Sequence, residues 1–65
     1  MQVTINQSKV QLPDGATVAA AIAQWAPQPP FAVAVNLAFV PQSSYATHEL
    51  QGGDQIEIIA PVTGG

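Results

Sequence analysis

The hydrophobic pattern of this chain changes period once and then changes back, and that limits its architecture more than any other feature. Over residues 1–6, Val3 and Ile5 alternate with Gln2, Thr4 and Asn6. Side chains along a strand point to opposite faces in turn, so this pattern predicts a strand with one buried face. Gln7-Ser8 is a polar break. Residues 9–12 alternate again, with Val10 and Leu12 inward, which predicts an antiparallel hairpin. Pro13-Asp14-Gly15 closes the pair: Pro fixes φ, Asp can bond its own backbone, and Gly tolerates positive φ.

The period then becomes helical. Val18, Ile22 and Trp25 fall at i, i+4 and i+7, on one helical face. Thr17 can cap the first turn with its hydroxyl, and the intervening Ala residues favour helix. Pro27, Pro29 and Pro30 stop it. The spacing predicts a helix over about residues 18–26 with Trp25 in the core.

Alternation returns at residues 31–35, with Phe31, Val33 and Val35 opposite Ala32 and Ala34. Asn36-Leu37-Ala38 reads as a turn, and Phe39-Val40 as a short strand ended by Pro41. Residues 42–47 are polar, with one helical turn expected near residues 44–46, and Leu50 should anchor this connector to the core. Gly52-Gly53-Asp54 is a turn. Residues 55–59 form the last strand with Ile56 and Ile58 inward, and about residues 60–65 form a tail. A single helix among short strands buries its face most simply by lying across a small mixed sheet, an α+β arrangement. If the strands it joins are parallel, that crossover should be right-handed.

Composition sets the scale. Of 65 residues, 48% are apolar, but eleven of them are Ala. About 20 large side chains are left, enough for one domain over residues 1–65 and too few for a large catalytic cavity as well. The net charge of −3 argues against a basic footprint for nucleic acid or an anionic membrane surface. The longest apolar run, residues 18–23, is six residues, where a spanning helix needs ~20. The N-terminus shows no basic and apolar secretory pattern, so the expected location is the cytoplasm. The absence of Cys removes disulfides, thiolate nucleophiles and Cys-based metal sites.

Few side chains are left to carry chemistry. Ser43, Ser44 and His48 are close in sequence, but nucleophile–base pairs are defined by geometry, and a polar connector with a surface His is the simpler reading. Asp54 and Glu57 lack a third ligand nearby, so Asp54 is assigned to the glycine turn and Glu57 to the solvent face of the last strand. No catalytic residue and no metal ligand is assigned. Ile59 breaks the alternation of the last strand and Leu37 lies in a turn. Both are expected to be exposed, as an apolar pair near the tail suited to a partner.

One more feature is Gly64-Gly65. A C-terminal carboxylate can be activated as an acyl adenylate by a partner that holds ATP. Delivering it into a narrow site needs a thin, flexible arm, and Gly, with no Cβ, allows backbone to approach backbone closely. Pro61 favours an extended chain and discourages the tail from joining the sheet.

Three stretches together, Val35-Asn36-Leu37-Ala38-Phe39-Val40-Pro41, His48-Glu49-Leu50-Gln51-Gly52-Gly53-Asp54-Gln55-Ile56-Glu57-Ile58 and Pro61-Val62-Thr63-Gly64-Gly65, resemble the ThiS family of sulfur carriers in thiamine biosynthesis. The resemblance runs the length of the chain. It implies a ubiquitin-like β-grasp fold and a protein co-substrate rather than an enzyme. It also implies that the Gly65 carboxylate is adenylated by an E1-like (ThiF-type) partner that uses ATP, with no cofactor bound by the carrier itself. A cysteine desulfurase relay would supply sulfur, Gly65 would become a thiocarboxylate, and thiazole synthase (ThiG-type) would take the sulfur. Gly64, Thr63, Val62 and Pro61 would thread into the partner, with Ile59 and Leu37 as candidate partner surface. A molybdopterin-synthase-type carrier, or a ubiquitin-like modifier that forms isopeptide bonds, would use the same activation. A β-grasp binding module with incidental end glycines is a further alternative.

Overall fold

The alternating segments become strands and the helical segment becomes the one α-helix. The computed structural model describes residues 1–60. The elements are β1 (Gln2–Ile5), β2 (Ser8–Gln11), α1 (Val18–Trp25), β3 (Ala32–Val35), β4 (Ala38–Val40), a 3₁₀ turn (Gln42–Ser44) and β5 (Gln55–Ile59). They form a five-stranded sheet in the order β2-β1-β5-β3-β4. The last strand in sequence is therefore the middle strand in space. β5 runs parallel to β1, with Ile5 beside Ile56, and antiparallel to β3, with Val33 opposite Ile58.

The inward positions are those the alternation marks. Val3, Ile5, Val33, Val35, Ile56 and Ile58 are buried, and Gln55, Glu57 and Ile59 face out. Leu50 is buried and anchors the connector as expected. That connector also serves the helix. The first amides of a helix have no partner within it. Here Val18 N–H donates to the His48 carbonyl at 2.9 Å and Ala19 N–H to the Tyr45 carbonyl at 2.8 Å. Thr17 is the N-cap, with its hydroxyl accepting from Ala20 N–H at 3.4 Å. The helical turn of the connector lies slightly earlier than expected, at Gln42–Ser44.

The helix corrects one expectation. Its buried residues are Val18 and Ala21, both fully covered, while Ile22 is half-buried and Trp25 is 36% exposed. Small Ala21 lets the backbone approach the sheet closely. Trp25 has a helical phase close to that of Val18 but lies ~10 Å further along the axis, at the last residue of the helix. Ala26 then ends the helix in a left-handed cap, with φ 54°.

Both hairpins turn on an Asn. Asn6 and Gln7 have φ of 50° and 70°, and Asn36 and Leu37 have φ of 51° and 70°. Two consecutive positive values define the type I′ turn, whose twist matches that of the flanking strands and whose first position favours Asn. Each Asn also reaches across to β5. Asn36 Oδ1 accepts from Gln55 N–H at 2.9 Å, and its Nδ2 donates to Asp54 Oδ1 at 3.1 Å. Asp54 Oδ2 accepts from Gln51 N–H at 2.8 Å, which closes the glycine turn as its sequence position suggests. Asn6 Oδ1 accepts from Ile58 N–H at 2.8 Å, and its Nδ2 donates to the Ile58 carbonyl at 3.1 Å. The two turns thus hold β5 near opposite ends.

Candidate functional site

A sheet with its helix on one face leaves its other face open. Registry places Ala32 opposite Ile59, and Ala34 opposite both Phe39 and Glu57. On that outer face Phe39 is 69% exposed and Ile59 is 55% exposed. The two Ala residues between them are half-buried, so two large apolar side chains flank a shallow floor. Beside this seat lies a cleft of about 320 Å3 lined by Pro29, Phe31, Ala32, Phe39, Gln42 and Tyr45. Phe31 and Tyr45 stack there, with centroids 6.3 Å apart and planes 9° from parallel. Ala32 and Phe39 belong to both, so the apolar surface is continuous from Ile59 into the cleft.

The sequence-derived residues separate on this map. Ile59 is the last residue of β5, on the outer face. Leu37 is 85% exposed, but it does not join Ile59. The β3–β4 turn follows Val35, which sits opposite Ile56 near the start of β5, whereas Ile59 lies opposite Ala32 at the other end of β3. The expected apolar pair near the tail is therefore Ile59 and Phe39, not Ile59 and Leu37. Pro61, Val62, Thr63, Gly64 and Gly65 lie outside the described residues. Among the described residues, no hydrogen bond joins the His48 ring to Ser43 or Ser44, and no three His, Asp or Glu side chains converge as metal ligands. Among them also, no helix is long and apolar enough to cross a membrane. A second groove on the outer face, about 640 Å3, is lined by the polar side chains of Thr4, Asn6, Gln7, Gln55 and Glu57, together with Ile56.

Strand order, one helix across one face, and a central strand leading to the chain's last residues define a class: the ubiquitin-like β-grasp domain. Within that class, the chain belongs to the ThiS family, whose model matches residues 1–65. Among solved structures, the thiamine biosynthesis protein ThiS from Geobacter metallireducens is similar, with a TM-score of 0.82 at 16% sequence identity over 100% of both chains. At that identity the likeness concerns the fold. No curated protein matches the chain significantly.

Proposed function

We propose that this chain is a sulfur carrier of thiamine biosynthesis, a protein co-substrate that supplies its own end group to catalytic partners. The observation that carries this reading is the family match over residues 1–65, which include the end Gly64-Gly65. The geometry fits such a role, because the middle strand of the sheet ends at Ile59, in the apolar seat, and residues 60–65 follow it in sequence.

The chemistry starts at the Gly65 carboxylate. One of its oxygens attacks the α-phosphorus of ATP held by an E1-like (ThiF-type) partner. The bond from that phosphorus to pyrophosphate breaks, leaving an acyl adenylate. The terminal sulfur of a persulfide, charged by a cysteine desulfurase, attacks the acyl carbon, and AMP leaves with the bonding pair. A second thiol then cleaves the sulfur–sulfur bond, which gives a thiocarboxylate on Gly65 and a disulfide on the donor side. Thiazole synthase (ThiG-type) accepts the sulfur. The chain contributes a surface to be held by, Ile59 and Phe39, and a narrow arm, Pro61 to Gly65, whose two end residues have no side chain to obstruct a channel.

Intact mass spectrometry of the chain from thiamine-starved cells tests this reading. The expected product has one oxygen replaced by sulfur, and deletion of Gly65 abolishes it. A chain recovered joined to protein lysines, or one never adenylated by such a partner, would overturn it.

A further inference from the structure

We propose that Asn6 is a positioning residue for this transfer, fixing the end of β5 that residues 60–65 follow in sequence. The proposal rests on the carrier reading above. β1 ends at Ile5, beside Ile56, so its backbone stops short of the last residues of β5. Asn6 N–H makes one more ladder bond, to the Ile56 carbonyl at 2.9 Å. In a parallel ladder the next bond would run from Ile58 N–H to the Asn6 carbonyl. Asn6 has turned to φ 50°, and its side chain takes that place: Oδ1 accepts from Ile58 N–H at 2.8 Å. Nδ2 also holds the Ile58 carbonyl at 3.1 Å. A primary amide is the side-chain group that supplies a donor and an acceptor side by side. Both backbone groups of the next-to-last strand residue are therefore fixed from the β1 side.

The position of this clamp gives it consequence. Residues 60–65 extended span at most ~20 Å. Loosening Ile58 adds to the positions that the end of such an arm samples, and a misplacement of ~1 Å at a reacting group can cost ~10²-fold in rate. Asn36 provides an internal control. It occupies the same turn position at φ 51° and accepts from a β5 amide in the same way, but at Gln55, the end of β5 remote from the tail.

The experiment compares Asn6→Gly with Asn36→Gly in the full chain, since Gly keeps the left-handed turn without strain and removes only the side-chain bonds. The readout is ATP–pyrophosphate exchange with the E1-like partner, alongside amide hydrogen exchange at Ile58. Asn6→Gly is expected to lower kcat by ~10-fold, the scale of leaving about one residue to be ordered only as the carboxylate reaches the phosphorus, with KM for the carrier within about twofold. Asn36→Gly is expected to match the wild-type chain in both constants. Asn6→Asp tolerates the same turn and keeps the acceptor but loses the donor. It should fall between the wild-type chain and Asn6→Gly, and it serves if Asn6→Gly does not fold. Equal kcat for the two glycine variants, with normal exchange by the wild-type chain, would overturn the positioning role alone. No exchange by the wild-type chain would overturn the carrier reading and the positioning role with it.

Discussion

Replacing Phe39 by Ala tests the docking face most directly, because the structure separates its cost in folding from its cost in binding. Phe39 is 69% exposed. A Phe side chain carries roughly 200 Å2, so about 140 Å2 is open, equivalent to ~3 kcal/mol if a partner covers all of it. Ala retains part of that contact and association has its own entropic cost, so about 2 kcal/mol, or ~30-fold in Kd, is the expected loss. The covered remainder is ~60 Å2, which limits the folding loss to ~1.5 kcal/mol and, at ~7 °C per kcal/mol for a domain this small, the fall in Tm to ~10 °C. Ile59, at 55% exposure, should show a smaller effect on truncation to Ala, ~5-fold in Kd.

The control is Leu37, more exposed than either at 85% but at the far end of β5. Leu37→Gly should leave Kd unchanged. It also relieves a non-Gly residue at φ 70°, a gain of ~1–2 kcal/mol that the extra freedom of unfolded Gly offsets by ~0.5–1 kcal/mol. Titration calorimetry against the E1-like partner measures all three variants, and thermal denaturation by circular dichroism confirms their folds. The reasoning fails if Leu37→Gly weakens binding as much as Phe39→Ala, or if Phe39→Ala binds like the wild-type chain.

Two further predictions concern the helix. Ala21→Leu inserts three carbons where the helix meets the sheet, at a residue with no exposed surface, and should destabilise by ~1–3 kcal/mol, read as a lower Tm in calorimetry. Thr17→Ala removes an N-cap bond that is long at 3.4 Å, so its cost should be close to ~0.5 kcal/mol, measured by urea denaturation at constant m-value.

Most of the element pattern was legible because burial on one face writes itself into the period. Ile56 and Ile58 inward with Glu57 and Ile59 outward needed only the alternation of residues 55–59. Periodicity gives a phase but no distance: Trp25 agrees in phase with Val18 and so reads as core, yet the buried face of the helix ends at Ala21. β4 has three residues, too short for any period, so the outward turn of Phe39 became visible only from its registry with Ala34. Leu37 and Ile59 were both recognisable as misplaced apolar residues, but which end of the sheet each occupies depends on strand pairing. The roles of Asn6 and Asn36 left a faint local trace. Asn is the favoured first residue of a type I′ turn, but Gln7 and Leu37 stand where Gly would have completed the signal. Their bonds to β5 span separations of up to 52 residues, which no local pattern encodes.

The open face follows from the size of the chain. One eight-residue helix and a short connector cover one side of a five-stranded sheet, and among the described residues no further element covers the other. On the carrier reading that face must stay open to water in the free chain and still be held by a partner. The β2 and β1 side meets the first demand with Lys9, Gln2, Gln11 and Thr4, and the β3 and β4 side meets the second with Ile59, Ala32, Ala34 and Phe39. Sheets buried on both faces need a third layer. On the carrier reading the partner enzyme supplies that layer over the apolar half only. The middle strand lies at the border of the two halves, so covering the apolar half brings the partner to the point where the reactive arm begins.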